Sequence, residues 1–335
     1  MIRIEDCTYF FFSNPYYGYD CAYKDIIRLN NVVWIPSLPI SQNSFVRFLF
    51  KIHHSKTVNR IVNLPFKDLW FIIPIRKRYR RERRMGRKVV FIFNQLWSLT
   101  PVARYVRFHF RDSKTVLQIS DYREGEKELV SFISEFKEMF DLIVTYDKKQ
   151  AEHYSISFFP NVHSFVNLQQ DEKKTMSDVY FCGRAEDRLR QIQGVVSFFL
   201  DKNLTCDVWV TNVEKADQSV SGIHYNEPLS YEQHLAHMAN TKCVLYIQQG
   251  GAEAIEWRLI LAVLNNKRII TNVQSIADYP FYDPAKIFIL NGLDLNSDSL
   301  NRFIQNIDTP INYNVDQNSF SPRCLLIHIT SCLFS

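Results

Sequence analysis

The strongest constraint on this chain is the alternation of short apolar runs with amphipathic stretches. Runs at 31–36 (NVVWIP), 88–93 (KVVFIF), 115–120 (TVLQIS) and 141–146 (DLIVTY) have the length and composition of buried strands. Helix-like stretches lie between them at 20–29, 96–110 and 125–140, with Pro101 placed to open the second helix rather than interrupt it. The pattern then recurs. Strands are expected at 178–182, 206–211, 243–247, 268–271 and 286–290, and helices at 186–200, 230–238, 253–264 and 299–307. Such alternation predicts an α/β fold with mainly parallel sheets.

A polar stretch without periodicity, within 162–176, separates the two series and is the expected junction. The reading is two α/β domains, 1–165 and 176–310, followed by a tail at 311–335. The tail's final RCLLIHITSCLFS is apolar enough to pack back on the body or touch a membrane, unless it is an altered terminus. A length of 335 residues suits two domains, and a 46% apolar fraction with 26 Phe and 17 Tyr argues for packed cores over disorder.

Seven dispersed cysteines without a C-x-x-C pair point to a reducing compartment. Arg3, Glu5 and Asp6 near the start do not fit a signal peptide, and the longest apolar runs are too short to span a bilayer. The expected location is cytoplasmic. The net charge of +5 conceals one basic segment, RKRYRRERRMGRK at 76–88, with nine basic residues against one acidic. Its cations are Arg76, Lys77, Arg78, Arg80, Arg81, Arg83, Arg84, Arg87 and Lys88, and the rest of the chain is net acidic by three. Beside the apolar DLWFIIPI (68–75), the segment suits the anionic inner face of the cytoplasmic membrane. Nucleic acid is the rival partner, disfavoured by the acidic balance elsewhere and by the absence of a recognised zinc-finger or RNP pattern. A solvated or intramolecular face is the plain alternative.

Two strand-to-helix transitions have the chemistry of ligand sites, because open α/β sheets bind ligands beyond the carboxyl ends of their strands. In FCGRAEDRLRQI (181–192), Gly183 permits close backbone approach, while Arg184 and Arg188 can reach a phosphate or diphosphate near a helix start. In IQQGGAEAIEWRLILAVLNN (247–266), Gly250 and Gly251 can bring backbone donors to a ligand, Glu256 can accept from a sugar or ribose hydroxyl, and Arg258 can neutralise phosphate. A spacing of two does not put Glu256 and Arg258 on one helical face, so their pairing does not follow from a continuous helix. Ordinary solvated first turns remain the alternative at both places. The complete G-x-G-x-x-G of dinucleotide oxidoreductases is absent.

The succession DVYFCGRAEDR (178–188), YEQHLAHMANTKCVLYIQQGG (231–251), EWRLILAVLNNKRIITN (256–272) and DYPFYDPAKIFIL (278–290), with FDLIVTYDKKQAEHYSISFFPN (140–161) before it, resembles bacterial capsule and lipopolysaccharide glycosyltransferases of the GT-B type. The resemblance implies two Rossmann-like domains facing each other across a cleft. It also implies a nucleotide-sugar donor held by the carboxy-terminal domain, and a lipid-linked or oligosaccharide acceptor met by the amino-terminal one. Arg184 and Arg188 then match the basic positions after the donor domain's first strand. Gln249 and Arg258 match the Gln-rich loop and the following Thr-Leu-Arg turn. The chain departs from the family pattern where Glu256 replaces the usual Thr and Leu261 stands in place of a helix carboxylate, which leaves a catalytically impaired scaffold as an alternative.

Such chemistry needs charge stabilisation at the departing nucleotide, for which Arg184, Arg188 and Arg258 are candidates, and a base for the acceptor hydroxyl. Asp20 and Asp121 are the candidate acceptor-side carboxylates, with solvent exposure or capping as their plain roles. No cofactor is expected. No metal centre is expected either, because His234 and His237 share a helix face without H-E-x-x-H or a third ligand, and adjacent His53 and His54 point apart.

Overall fold

The computed structural model describes residues 2–13, 18–36, 44–62, 64–65, 69–94, 100–119, 133, 137–171, 175–249, 254–292, 295 and 298–335. They divide into two compact units, Met1–Phe159 with Pro322–Ser335, and Pro160–Ser321. The second unit therefore starts earlier than position 176. The chain's end is not a separate tail: its helix Pro322–Phe334 belongs to the first unit.

The first unit is built on β1 (Cys7–Ser13), β2 (Val32–Pro36), β3 (Lys88–Asn94), β4 (Lys114–Ile119), β5 (Leu142–Thr145) and β6 (Ser157–Phe158), in the order β2-β1-β3-β4-β5-β6. Every pairing is parallel. β1 reads CTYFFFS and is buried at all seven positions, as expected of a central strand covered on both faces. Phe12 stacks on Phe93 with ring centroids 4.5 Å apart, and Phe10 on Phe91 at 4.9 Å, so strand register directly builds the core. The helix Thr100–His109 carries Pro101 in its first turn, where the missing N–H costs nothing. The expected helix over 125–140 falls almost wholly outside the described residues. The helix Leu69–Arg84 runs through the apolar and basic segments without interruption. Helix Pro322–Phe334 is tied down by Thr330, bonded to Tyr9, and by His328, whose Nε2 lies 2.8 Å from Ser157 Oγ.

In the second unit, β7 (Ser177–Arg184), β8 (Cys206–Thr211), β9 (Ile223–Tyr225), β10 (Thr241–Tyr246), β11 (Arg268–Thr271) and β12 (Ile287–Ile289) form another all-parallel sheet. Its order, β12-β11-β10-β7-β8-β9, reverses direction between β7 and β10. That is the switch point of a doubly wound sheet, where the connections leave toward opposite faces and open a crevice at the strands' carboxyl ends. The helix Trp257–Leu264 is apolar around its circumference and buries each residue from Leu259 to Leu264. Its C-terminal neighbour Lys267 is buried too and donates two 2.7 Å hydrogen bonds, to Ala239 O and Thr241 O.

Candidate functional site

At the second unit's switch point the chain gathers most of the described residues expected to meet a donor. Gly183 and Arg184 lie inside β7, paired with Val210 and Thr211, rather than in a loop after it. A single 3-10 turn, Glu186–Arg188, follows, and the helix begins only at Leu189 with Arg188 as its N-cap. The second helix likewise begins at Trp257, later than expected, with Glu256 as N-cap in an extended conformation. Neither start has a side-chain cap, so both leave backbone N–H groups available at the crevice.

Arg188 and Arg258 converge on Gly183. A Cβ at that position would lie 3.0 Å from Arg188 Nη2 and 3.5 Å from Arg258 Nη1. A side chain there would press on Arg188 and on Phe181 Cζ at 3.3 Å, while Arg258 would stay at ordinary contact distance. Arg188 is buried and donates through Nε to Arg184 O at 3.0 Å and through Nη1 to Ile247 O, joining the ends of β7 and β10. Burial, then the neighbouring Arg258, pushes its pKa below the ordinary arginine value. Arg258 donates from Nη1 to Cys182 O at 2.6 Å and meets Glu256 Oε2 through Nη2 at 3.1 Å. Burial alone would lower its pKa, but the charge of Glu256 and the groups of Tyr246 and Cys182 outweigh that and raise it. The Glu256–Arg258 pair forms because Glu256 is not helical. Its ψ of 160° leaves it extended outside the helix, so helical spacing does not apply.

Two like charges thus sit side by side against one carboxylate, an arrangement that an anion would relieve. Arg258 Nε has no hydrogen-bond partner, and neither has Oε1 of the buried Gln248 just beyond β10. Gln248 is held through its backbone: its N–H donates to Asn272 Oδ1 at 2.7 Å, and Asn272 Nδ2 contacts Gln248 O and Gln191 Oε1 at 3.3 and 3.4 Å. Gln248 and Asn272 were absent from the expected site, although both immediately follow strands and the strand-end rule would have found them.

The other expected residues divide as follows. Gln249 is partly buried after β10, and Arg184 is exposed at the end of β7. Gly250, Gly251 and Asp121 lie outside the described residues. Asp20 is exposed and accepts a 2.9 Å hydrogen bond from Trp34 Nε1. At the carboxyl ends of β3 and β4 the first unit instead buries an unexpected polar group. Asn94 Nδ2 and Gln118 Nε2 donate to Tyr23 OH at 3.4 and 2.7 Å, while Gln118 Oε1 has no partner. Leu261 is fully buried in the core, so a carboxylate at that place would be an uncompensated interior charge.

His234 Nδ1 lies 2.7 Å from Tyr180 OH, and its pKa falls to about 3, first through burial and then through Arg258. His237 pairs with Asp207 at 2.6 Å. No group of three metal-ligating side chains occurs among the described residues. The basic segment forms the C-terminal half of helix Leu69–Arg84, the turn after it and the start of β3. Arg78 and Arg87 pair with the fully buried Glu82 at 2.6 and 3.1 Å, and Arg83 pairs with Asp112 at 3.1 Å. Arg76, Lys77, Arg80, Arg81 and Arg84 remain exposed on the helix, and Lys88 at the start of β3.

No family model and no curated protein sequence matches the chain. Solved structures do. An α-glucosyltransferase in complex with UDP and a 13-mer DNA containing a central A:G mismatch aligns over 98% of this chain and 97% of its own, with TM-score 0.53 and 9% identity. A glycosyltransferase from Rickettsia africae ESF-5 aligns over 98% and 94%, at 0.51 and 10%. Sucrose-phosphate synthase from Thermosynechococcus elongatus aligns over 80% and 79%, at 0.50 and 10%. The fold is of the GT-B type. At these identities the likeness concerns the fold, and a GT-B fold carries no substrate of its own. No helix among the described residues is long and apolar enough to cross a membrane.

Proposed function

We propose that the chain is a glycosyltransferase that moves a sugar from a nucleotide-activated donor to a hydroxyl of a lipid-linked or growing cell-surface polysaccharide. The observation that carries this reading is the convergence of Arg188 and Arg258 on Gly183 at the switch point of the second sheet. In this reading Arg258, oriented by Glu256, meets the donor's phosphates with its unpartnered Nε and neutralises charge as the nucleotide leaves. Arg188 braces the crevice through two backbone carbonyls and adds its field, and Arg184 reaches the ligand from the strand end. The uncapped helix starts at Leu189 and Trp257 supply backbone donors. The GT-B likeness supports the same donor chemistry, since UDP is bound by one of the neighbours. The capsule and lipopolysaccharide setting rests on the sequence resemblance.

The test is thermal unfolding with a panel of UDP-, GDP-, CMP- and dTDP-sugars, followed by turnover assays with glycolipid acceptors. A donor at about a hundred times its Kd adds about 2.7 kcal/mol to the state that binds it. That corresponds to a rise of roughly 5–10 °C for a unit of this size. A folded protein that no donor protects would refute the reading and favour the impaired scaffold that Leu261 suggests.

A further inference from the structure

The C-terminal half of helix Leu69–Arg84 sorts its charges by face. Inward, Glu82 is fully buried; it accepts from Thr8 Oγ1 at 3.0 Å and from Arg87 Nη1 at 3.1 Å, and Arg78 pairs with it at 2.6 Å. Arg78 also donates from Nη2 to Asn30 O at 3.1 Å. These bonds tie the helix to β1 and to the chain just before β2, which fixes the turns that carry the remaining cations. Outward, Arg76, Lys77, Arg80, Arg81 and Arg84 are exposed. They fall at i, i+1, i+4, i+5 and i+8, which is one stripe of a helix. With Arg78 and Met85 they line an open recess of about 800 Å³.

None of the five outward cations has an ion-pair partner among the described residues, and the segment's one carboxylate is taken by Arg78 and Arg87. Arg76 and Arg80, Arg80 and Arg84, and Lys77 and Arg81 are like charges four residues apart, a spacing that repels in a helix. An anion laid along the stripe would relieve that repulsion. The stripe also lies away from the donor chemistry. Its helix ends one short turn before Lys88, at the amino end of β3, whereas open α/β sheets take their substrates at the carboxyl ends.

We infer that this stripe docks the phosphodiester backbone of double-stranded nucleic acid, without reading its bases. Length and charge identify the occupant. The five cations span about 12 Å at 1.5 Å per residue. Over that length a duplex presents roughly seven phosphate charges, three or four of them on one strand, whereas a single phosphate ester engages only part of the stripe. All but Lys77 are arginines, whose planar fork matches phosphate oxygens. A single strand needs aromatic faces for its bases. Tyr79, the aromatic residue of the segment, instead packs inward on Phe110 and Phe91, with ring centroids 4.3 and 6.2 Å away. Stable attachment to a bilayer takes an apolar anchor beside the charge. Of the apolar residues before the stripe, Ile72 and Ile75 are buried in the unit and Trp70 is held by His53. A second copy of the chain would set cations against cations. The inference stands apart from the donor reading, because none of its residues lies in the second unit.

The experiment is fluorescence anisotropy of the full chain with short labelled DNA duplexes of two unrelated sequences, from about 50 to about 200 mM salt. A single strand and phosphatidylglycerol vesicles are carried alongside. At about 0.9 per phosphate neutralised, five contacts give a log–log salt slope of about −4.5, so affinity should fall roughly 500-fold over that range, and equally for both sequences. R80Q/R81Q/R84Q should flatten the slope to about −1.8, and R76Q/K77Q to about −2.7. K202Q/K215Q/R302Q removes three charges from exposed positions of the second unit and should leave the slope unchanged. Circular dichroism checks that each variant is folded, which is expected of substitutions at side chains outside the core. No duplex binding by the wild type at the lowest salt, a slope that neither stripe variant changes, or an equal loss in the second-unit control overturns the inference. So does arginine-dependent capture of the vesicles or of the single strand in preference to the duplex. Donor protection is expected to be unchanged in all three variants, so either proposal can fail without the other.

Discussion

Replacing Gly183 with alanine tests the construction of the switch-point site more directly than removing either arginine. Its φ lies outside the left-handed region, so the backbone tolerates a side chain and any cost comes from space. The new Cβ would stand 3.0 Å from Arg188 Nη2, 3.3 Å from Phe181 Cζ and 3.5 Å from Arg258 Nη1. The nearest neighbour has little freedom to yield, because Arg188 is buried and anchored by Nε to Arg184 O and by Nη1 to Ile247 O. Shifting the guanidinium weakens at least one charge-assisted hydrogen bond, about 1.5–3 kcal/mol. The lost flexibility of glycine in the unfolded chain returns about 0.4–1 kcal/mol. A net destabilisation of roughly 1–2 kcal/mol is expected, read as faster hydrogen exchange in β7 and in the helix Leu189–Asp201. If Arg258 is displaced with it, donor affinity should fall about tenfold or more, the worth of one charged hydrogen bond. The same substitution in an R188M background isolates the contact, since a flexible thioether can move aside, and the two changes should couple by about 1 kcal/mol. Equal cost in both backgrounds, or a G183A protein with wild-type exchange and full donor protection, would refute the account of why glycine stands there.

Two further outcomes follow from the cations Arg258, partly buried, and Lys267, buried. Arg258→Lys replaces a fork that spans Cys182 O and Glu256 with a single ammonium that cannot reach both, so calorimetry should show donor affinity lowered about tenfold or more with the unit still folded; unchanged affinity would remove Arg258 from the phosphate site. Lys267 is held near pKa 8 by burial, below lysine's ordinary 10.5. The unfolded chain therefore binds more protons between those values, and this group makes stability rise with pH across that window by up to roughly 3 kcal/mol, a gain lost again as pH falls through about 8. Urea unfolding of wild type and Lys267→Met from about pH 8 to about pH 10 should show that slope in the wild type only; parallel slopes would place the titration elsewhere.

The recurring strand and helix periods were enough to read two parallel α/β sheets from the sequence, because such sheets need short apolar runs separated by crossovers. Where reading failed, a local rule met a tertiary override. Cys7–Ser13 became a central strand although CTYFFFS shows no alternation, since both its faces are covered. Helix Leu69–Arg84 was not among the expected helices, and it carries Pro74, an unfavourable residue in a helix interior. Its cations look uniform in sequence, yet the helical period sends Arg78 inward to Glu82 and leaves Arg76, Arg80 and Arg84 outside. The apolar end of the chain gave no indication of which unit it would join. Helix Pro322–Phe334 is joined to Tyr9 and Ser157 across most of the sequence, by contacts no local pattern encodes.

The donor-side residues were legible as types before they were legible as a site. Sequence could say that Gly183, Arg188, Glu256 and Arg258 follow strands, but their meeting depends on strand order. β7 and β10 are neighbours only because the winding reverses between them, and that adjacency lets Arg188 hold Ile247 O. The Glu256–Arg258 pair depends in turn on where one helix starts. A continuous helix from 253 would turn the two side chains apart, whereas a start at Trp257 leaves Glu256 extended and within 3.1 Å of the guanidinium. A substitution that pulled Glu256 into the helix would thus separate the pair without touching either charge. Chemical identity and backbone register contribute separately at this site, and only the first is written in the local sequence.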